Sequence, residues 1–302
     1  MGGKKMSKTK TEKPKVVAIV GATGSGKTSW AKIIAQNFNG QVISVDSRQI
    51  YHGLDIGTAK DKTFPQALID IVEPSQVFTL SDYQKIAYET IKQILKEDKL
   101  PILAGGTGLY LDAVVYGYKI PDLREESIKL RQELEKMTDA DLYQKLIQTD
   151  PDSACQIDPR NKRRVIRALE VSILSDQPFS ELKTKKKTDF KTIIIGIDIP
   201  RETLYAKVDA RVDQMIKEGL VEEVRALIKK YPTDLPALNT IGYKEIISYL
   251  QGFLTLKEAV EKIKTNTHSY IRRQDTWFRR NKDIKWVKTV EEAEKLIRKF
   301  IK

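Results

Sequence analysis

The chain has 302 residues, 40% of them apolar and 31% charged, with a formal net charge of +12. That is globular composition, long enough for a full core plus an insertion, and its basic excess points to a polyanionic partner. A single cysteine excludes an internal disulfide and fits a reducing compartment, and two histidines are too few for a His-rich metal centre or a Ser-His-Asp triad.

Residues 1–14 are lysine-rich and apolar-poor and are expected to form a disordered basic tail. Neither a signal-peptide core nor an apolar run of transmembrane length occurs, so a cytoplasmic location and no membrane partner are expected. The β-branched run Val16-Val17-Ala18-Ile19-Val20 predicts a buried parallel strand. It leads directly into Gly21-Ala22-Thr23-Gly24-Ser25-Gly26-Lys27-Thr28, which fits the phosphate-loop pattern G-x-x-x-x-G-K-[ST]. Glycines let successive backbone N–H groups curl around an anion, and the following helix offers its positive end. Lys27 adds a point charge, and the Thr28 hydroxyl is a candidate ligand for Mg²⁺. The pattern specifies a di- or triphosphate without choosing between them.

Gln41 to Tyr51 reads as a second short strand ending in a polar cluster, Asp46-Ser47-Arg48-Gln49 within it. In an open α/β sheet, ligands bind beyond the carboxyl ends of strands, so Asp46 falls on the functional rim. A turn or helix-capping aspartate is the plainer alternative. Helical spacing runs from Asp82 to Lys96, and a third strand over Leu100–Ala104 enters Gly105-Gly106-Thr107-Gly108, which puts Thr107 at the same rim. No acidic residue closes that strand, where an ATPase would carry its Walker-B aspartate.

From Pro121 to Phe190 the sequence predicts charged helices and no strand. Arg160, Arg163, Arg164 and Arg167 follow the spacing of one helix face, with Val165, Ile166, Leu169 and Ile173 opposite. A solvated surface face is the alternative. Cys155 in this stretch reads as a small buried apolar residue. Lys183, Lys185, Lys186 and Lys187 form a basic linker back to the core. A buried strand over Ile193–Asp198 follows, then an amphipathic helix (Leu204, Val208, Val212, Met215). It carries Arg211 between Asp209 and Asp213, with which it could simply pair. Near the end, Tyr270 and Trp277 share a helix face with Ala259 and Ile263, which predicts core-facing rings. Arg272, Arg273, Arg279 and Arg280 lie on a flank, and arginines beside aromatics suit nucleic-acid backbones and unstacked bases. Neither arginine cluster has acidic partners in register. Trp286 and Val287 predict a last short strand. The fold class is therefore α/β: a phosphate-loop parallel-sheet core over 15–120 and 191–302, with an all-helical insertion over 121–190.

Together these segments resemble the tRNA dimethylallyltransferase (tRNA isopentenyltransferase) family. The matching pieces are GATGSGKT (21–28), VDSRQIYHGLDIGTAK (45–60), GGTGLY (105–110), RRVIRALEV (163–171), IGYKE (241–245) and RRQDTWFRR (272–280), in family order across nearly the whole chain. DSRQIY with DIGTAK is far more specific than the phosphate loop. The resemblance implies transfer of a dimethylallyl group from dimethylallyl diphosphate to N6 of the adenosine just 3′ of the tRNA anticodon, with Mg²⁺ as cofactor. It implies catalysis by Asp46 as base with Thr23 and Arg211, and diphosphate binding by Gly21, Ala22, Thr23, Gly24, Ser25, Gly26, Lys27 and Thr28. It further implies tRNA contacts from Asp46, Ser47, Arg48, Gln49 and Thr107 and from Arg163, Arg164 and Arg167, to which the C-terminal arginines 272, 273, 279 and 280 are added on their chemistry. A monomer is expected. The sequence departs from the commonest family pattern at Ala22, where proline is frequent, and at Arg163, where glutamine is frequent. Two other readings compete. A small-molecule or nucleoside kinase shares the loop but lacks its Walker-B acid here, and a pure RNA-binding module leaves residues 21–28 unexplained.

Overall fold

Val16 to Val20 are all fully buried, as expected of a strand in the middle of a sheet covered on both faces. This strand is β1 (Lys15–Val20) of a computed structural model that describes residues 12–121, 124–175, 177–182 and 188–302. The basic tail lies almost wholly outside the described residues, as do Lys183, Lys185, Lys186 and Lys187. After β1 come α1 (Lys27–Asn37), β2 (Gly40–Ser44), β3 (Gln66–Ala67), α2 (Leu80–Lys96), β4 (Leu100–Gly105) and α3 (Gly108–Val115). A helical run follows: α4 (Arg124–Glu135), α5 (Asp139–Thr149), α6 (Pro151–Gln156), α7 (Lys162–Leu174) and α8 (Phe179–Leu182). The chain then continues through β5 (Lys191–Ile197), α9 (Arg201–Lys217), α10 (Leu220–Lys230), α11 (Tyr243–Leu250), α12 (Leu256–Arg279), β6 (Ile284–Val287) and α13 (Val290–Ile301).

All strands pair in parallel, in the order β3-β2-β4-β1-β5-β6. The chain steps from β1 to β2 on one side, fills the gap with β4, and only then crosses to β5 on the other side. β1 is thus the switch point at which a crevice opens beyond the carboxyl ends. The loops after β1, β2 and β4 carry the phosphate loop, Asp46 and Thr107, so the topology brings these three segments to one rim. One sheet face packs on α1 and α13 through Ile34, Val42, Ile102, Ile195 and Ile297. A second apolar cluster joins α9–α12 to the segment after β2 through Ile50, Leu54, Val212, Val224, Tyr243 and Ile263. The two-residue β3 had no sequence signal, being too short for an alternation to register.

The chain divides into two compact units. The sheet unit runs to Phe78 and resumes over Lys85–Leu111 and Asp189–Lys302, and the helical unit comprises Thr79–Gln84 and Asp112–Thr188. The helical unit has its own core of Leu134, Leu142, Leu146, Val165, Ile166 and Leu169. Ile173, expected in that row, is instead exposed. Arg160 stands before α7 and is held by Asp158 at 3.0 Å, so the arginine face begins at Arg163. Cys155 is exposed, because α6 is a short helix that turns Ser153 and Ala154 inward.

Candidate active site

The phosphate loop opens from β1 into α1 through two residues in the left-handed region, Gly24 and Gly26, each with φ 83°. Gly26 is the N-cap of α1, and a side chain at Gly24 would press on Val208 of α9. Glycine is required here both for φ and for the close approach. The Lys27 ammonium curls back onto the Ala22 carbonyl at 2.8 Å. Burial lowers the Lys27 pKa to about 8; the nearby Asp46 carboxylate partly offsets this, and the Arg211 guanidinium adds to it. Within the loop the Ser25 N–H donates to Ala22 O at 3.2 Å.

Asp46 follows β2. Its Oδ1 accepts the N–H groups of Arg48 at 2.8 Å and Gln49 at 3.4 Å, which ties the 46–49 turn together. Asp46 therefore does hold a turn through one oxygen, though it caps no helix, and the same side chain lines a cavity. Beside it the Thr107 hydroxyl accepts the Ser47 N–H at 3.1 Å, joining the loops after β2 and β4. Gln49 is engaged at both ends, its Oε1 with Ser44 Oγ at 3.1 Å and its Nε2 with Thr58 O at 3.1 Å, and it does not line the cavity.

The cavity has a volume of about 350 Å³, and among the described residues its charged lining comprises one acid, Asp46, against Arg48, Arg211, Lys244 and Arg273. Thr23 and Tyr270 add hydroxyls, while Val208, Val212, Met215 and Ile263 form an apolar wall. Arg211 is turned into this space and donates to Ala59 O at 3.4 Å. It does not pair with its sequence neighbours: Asp209 is taken by His268 at 2.8 Å and Asp213 by Lys264 at 2.7 Å. Burial pulls the Arg211 pKa down, partly countered by Glu218 and Asp46. Burial, with the Asp46 charge adding to it, pushes the Tyr270 hydroxyl up to about 12.

Tyr270 and Trp277 are not core residues. The inward stripe of α12 is Ala259, Ile263, Thr267, Ile271, Gln274 and Phe278, leaving Tyr270 on the cavity and Trp277 42% exposed against Gly108. The arginine clusters also differ from a uniform excess of charge. Arg279 is paired with Asp198 and lies over the Trp286 ring. Arg272 bonds Tyr205 and Ser269. Arg167 lies 3.4 Å from the fully buried Glu170, whose carboxylate is gripped by Arg131 in a two-pronged pair. Arg273 lines the cavity, and Arg163, Arg164 and Arg280 are exposed.

Three polar groups that brace the site carry no signal in the sequence. Gln274 joins the phosphate loop to the loop after β4. The Glu223 carboxylate accepts the N–H groups of Asp55, Ile56 and Gly57 and the Tyr243 hydroxyl. Lys60, its ammonium buried, bonds Tyr51 O and the carboxylates of Asp55 and Asp70. Glu223 and Lys60 brace the 45–60 segment that carries Asp46.

The chain matches the IPP transferase family model over residues 49–281 and the isopentenyl transferase model over residues 14–68. It is 43% identical to the tRNA dimethylallyltransferase of Anoxybacillus flavithermus, over 90% of this chain and 89% of the relative. The chain belongs to the tRNA dimethylallyltransferase family. Among solved structures, it is similar to the full-length tRNA isopentenylpyrophosphate transferase of Bacillus halodurans, with a TM-score of 0.71 and 38% identity over 96% of both chains. A eukaryotic dimethylallyltransferase acting on tRNA matches with a TM-score of 0.75 and 28% identity, over 87% of this chain and 69% of that one. Family membership accounts for the order of the motifs, and the fold is the phosphate-loop α/β fold of these transferases.

Proposed function

We propose that this chain transfers a dimethylallyl group from dimethylallyl diphosphate to N6 of the adenosine 3′-adjacent to a tRNA anticodon, releasing diphosphate. The observation that carries this reading is the single carboxylate, Asp46, in a cavity with four cations and an apolar wall, beside a phosphate loop. A kinase needs no apolar wall for the group it transfers, whereas a five-carbon allyl chain does. That one relative acts on tRNA supports the macromolecular substrate.

An exocyclic adenine amine is a weak nucleophile, because its lone pair is delocalised into the ring. Asp46 accepts its proton as the N–C bond forms and the C–O bond of the diphosphate ester breaks. Negative charge then grows on the leaving diphosphate, where the phosphate loop, Lys27 and Arg211 meet it. Val208, Val212, Met215 and Ile263 keep water from the allylic carbon, which gains cationic character. Among the described residues no cluster of three His, Cys, Asp or Glu side chains could hold a metal. The Thr28 hydroxyl would hold an Mg²⁺ that arrives with the diphosphate and keeps several waters, and such an ion would neutralise diphosphate charge. The target base must leave the anticodon stack to reach Asp46, and exposed arginines such as Arg163 and Arg164 hold the phosphate backbone.

The test is nucleoside analysis of unmodified tRNA after incubation with the chain, Mg²⁺ and dimethylallyl diphosphate. The reading requires N6-dimethylallyl-adenosine at the position following the anticodon, and no product when that adenosine is replaced by guanosine. Product at another position, or on another atom, overturns the assignment.

A further inference from the structure

Gln274 is 5% exposed and sits midway along the inward stripe of α12, among apolar residues. A buried amide in such a row needs partners, and it has three. Its Oε1 lies 2.8 Å from the Thr23 backbone nitrogen and 3.1 Å from Thr23 Oγ1, and its Nε2 lies 2.9 Å from the Gly106 carbonyl oxygen. The orientation of the amide follows from these partners. A backbone N–H can only donate and a carbonyl can only accept, so the oxygen must face Thr23 and the NH₂ must face Gly106. The same logic fixes the hydroxyl. An amide oxygen cannot donate, so the Thr23 O–H must give its one proton to Gln274, leaving only lone pairs for the cavity that Thr23 lines. Gly106 has no side chain at the point where one would collide with the Gln274 amide.

We propose that Gln274 is a positioning residue that fixes the Thr23 hydroxyl as a hydrogen-bond acceptor for the N6–H that the substrate adenine keeps. The proposal rests on the prenyl-transfer reading. The attacking amine carries two protons. The N6 lone pair forms the bond to the allylic carbon, the C–O bond breaks with its electron pair going to diphosphate, and one N6 proton passes to Asp46. The other proton stays on N6. Where the bound base excludes water, an N–H without an acceptor carries a full desolvation cost, and Thr23 Oγ1 is an acceptor in the cavity that Asp46 also lines, its own proton already engaged. The arrangement also spends the Thr23 N–H on Gln274, so this residue of the loop faces the amine rather than the diphosphate.

Single-turnover transfer is measured for wild type, Gln274→Met, Thr23→Val and the double variant, with dimethylallyl diphosphate affinity and melting temperature alongside. Wild-type product formation is the control for the prenyl-transfer reading. If it is absent, that reading fails and takes the proposal with it. Gln274→Met is expected to slow transfer by about tenfold to hundredfold, with diphosphate affinity within about twofold of wild type. The double variant should be no slower than Thr23→Val alone, because the two side chains act as one unit. Multiplicative losses, or a rate loss that merely follows weakened diphosphate binding, overturn the proposal. Should Gln274→Met not fold, Gln274→Glu provides the same decision. Its protonated acid can still accept from Thr23 and donate to Gly106, whereas its carboxylate cannot donate. Its rate relative to wild type should therefore rise as pH falls, and a pH-independent ratio contradicts the proposal.

Discussion

His268 Nε2 lies 2.8 Å from a carboxylate oxygen of Asp209, and with Lys264 on Asp213 this contact turns Arg211 toward the cavity. Sequence alone left Arg211 balanced between an ion pair with its neighbours and a functional role. Helix α12 takes both acids, so among the described residues the guanidinium makes only a long bond to Ala59 O. Arg211→Gln should therefore slow transfer by about 10²–10³-fold, the usual cost of one donor aimed at developing negative charge. Its melting temperature should stay close to wild type. A variant of normal turnover and lowered stability would return Arg211 to a structural part.

Asp46 has two functions that substitution can separate. Asp46→Asn keeps an oxygen for the Arg48 and Gln49 N–H groups but cannot take a proton, so transfer should fall by about 10²–10⁴-fold with stability and tRNA affinity nearly unchanged. Asp46→Ala also loses the turn and should cost about 1 kcal/mol of stability in addition. Thermal melts and single-turnover rates on both variants distinguish the two effects, and an Asn variant within a few-fold of wild type removes Asp46 as the base.

Lys27 gives the site a pH dependence whose sign follows from its environment. Burial lowers its pKa from 10.5 to about 8, so the free protein carries the charge at neutral pH and loses it as pH rises through about 8. A bound diphosphate favours the ammonium, so binding above that pH must take up a proton. Affinity for dimethylallyl diphosphate should fall by up to about tenfold per pH unit there. Calorimetry at pH 8.5 in two buffers of different ionisation enthalpy should show proton uptake that Lys27→Met abolishes. Uptake unchanged in that variant assigns the proton elsewhere.

The arginines should not contribute equally to tRNA binding. Arg163 and Arg164 are exposed, with no acid paired to them among the described residues, whereas Arg167 and Arg279 sit in ion pairs. Replacing Arg163 and Arg164 together should lower the slope of log affinity against log salt by roughly one to two, since each lost phosphate contact removes about 0.7–0.9. Arg279→Ala should change the slope less and lower stability through the lost Asp198 pair. Equal slopes for wild type and the Arg163/Arg164 double variant would falsify the backbone role of α7.

Gly57, in the DIGTAK stretch, tests whether that motif is scaffold. A Cβ there would overlap the ring of Tyr243, which is fully buried and bonded to Glu223. Gly57→Ala should destabilise by about 1–3 kcal/mol and slow transfer through the displaced 45–60 segment. Wild-type stability would show that the ring can move aside.

The fold was legible wherever a motif coincided with an apolar run. The β-branched strand β1, the glycines after it and the rim position of Asp46 follow from local rules. What could not be read were polar residues whose purpose is met across the fold. Gln274 lies 251 positions from Thr23 and Glu223 lies 167 from Ile56, and neither stands out as a single letter in an amphipathic helix. Tyr270 and Trp277 were misassigned for a related reason. The core stripe of α12 runs through Thr267 and Gln274, polar positions that hydropathy spacing passes over.

The most direct measurement of the central claim is the intact mass of unmodified tRNA after incubation with the chain, Mg²⁺ and either dimethylallyl diphosphate or ATP. The account predicts a gain of one C₅H₈ unit per tRNA with dimethylallyl diphosphate, lost in Asp46→Asn, and no change with ATP. A phosphoryl gain with ATP, or no gain with dimethylallyl diphosphate, would contradict it.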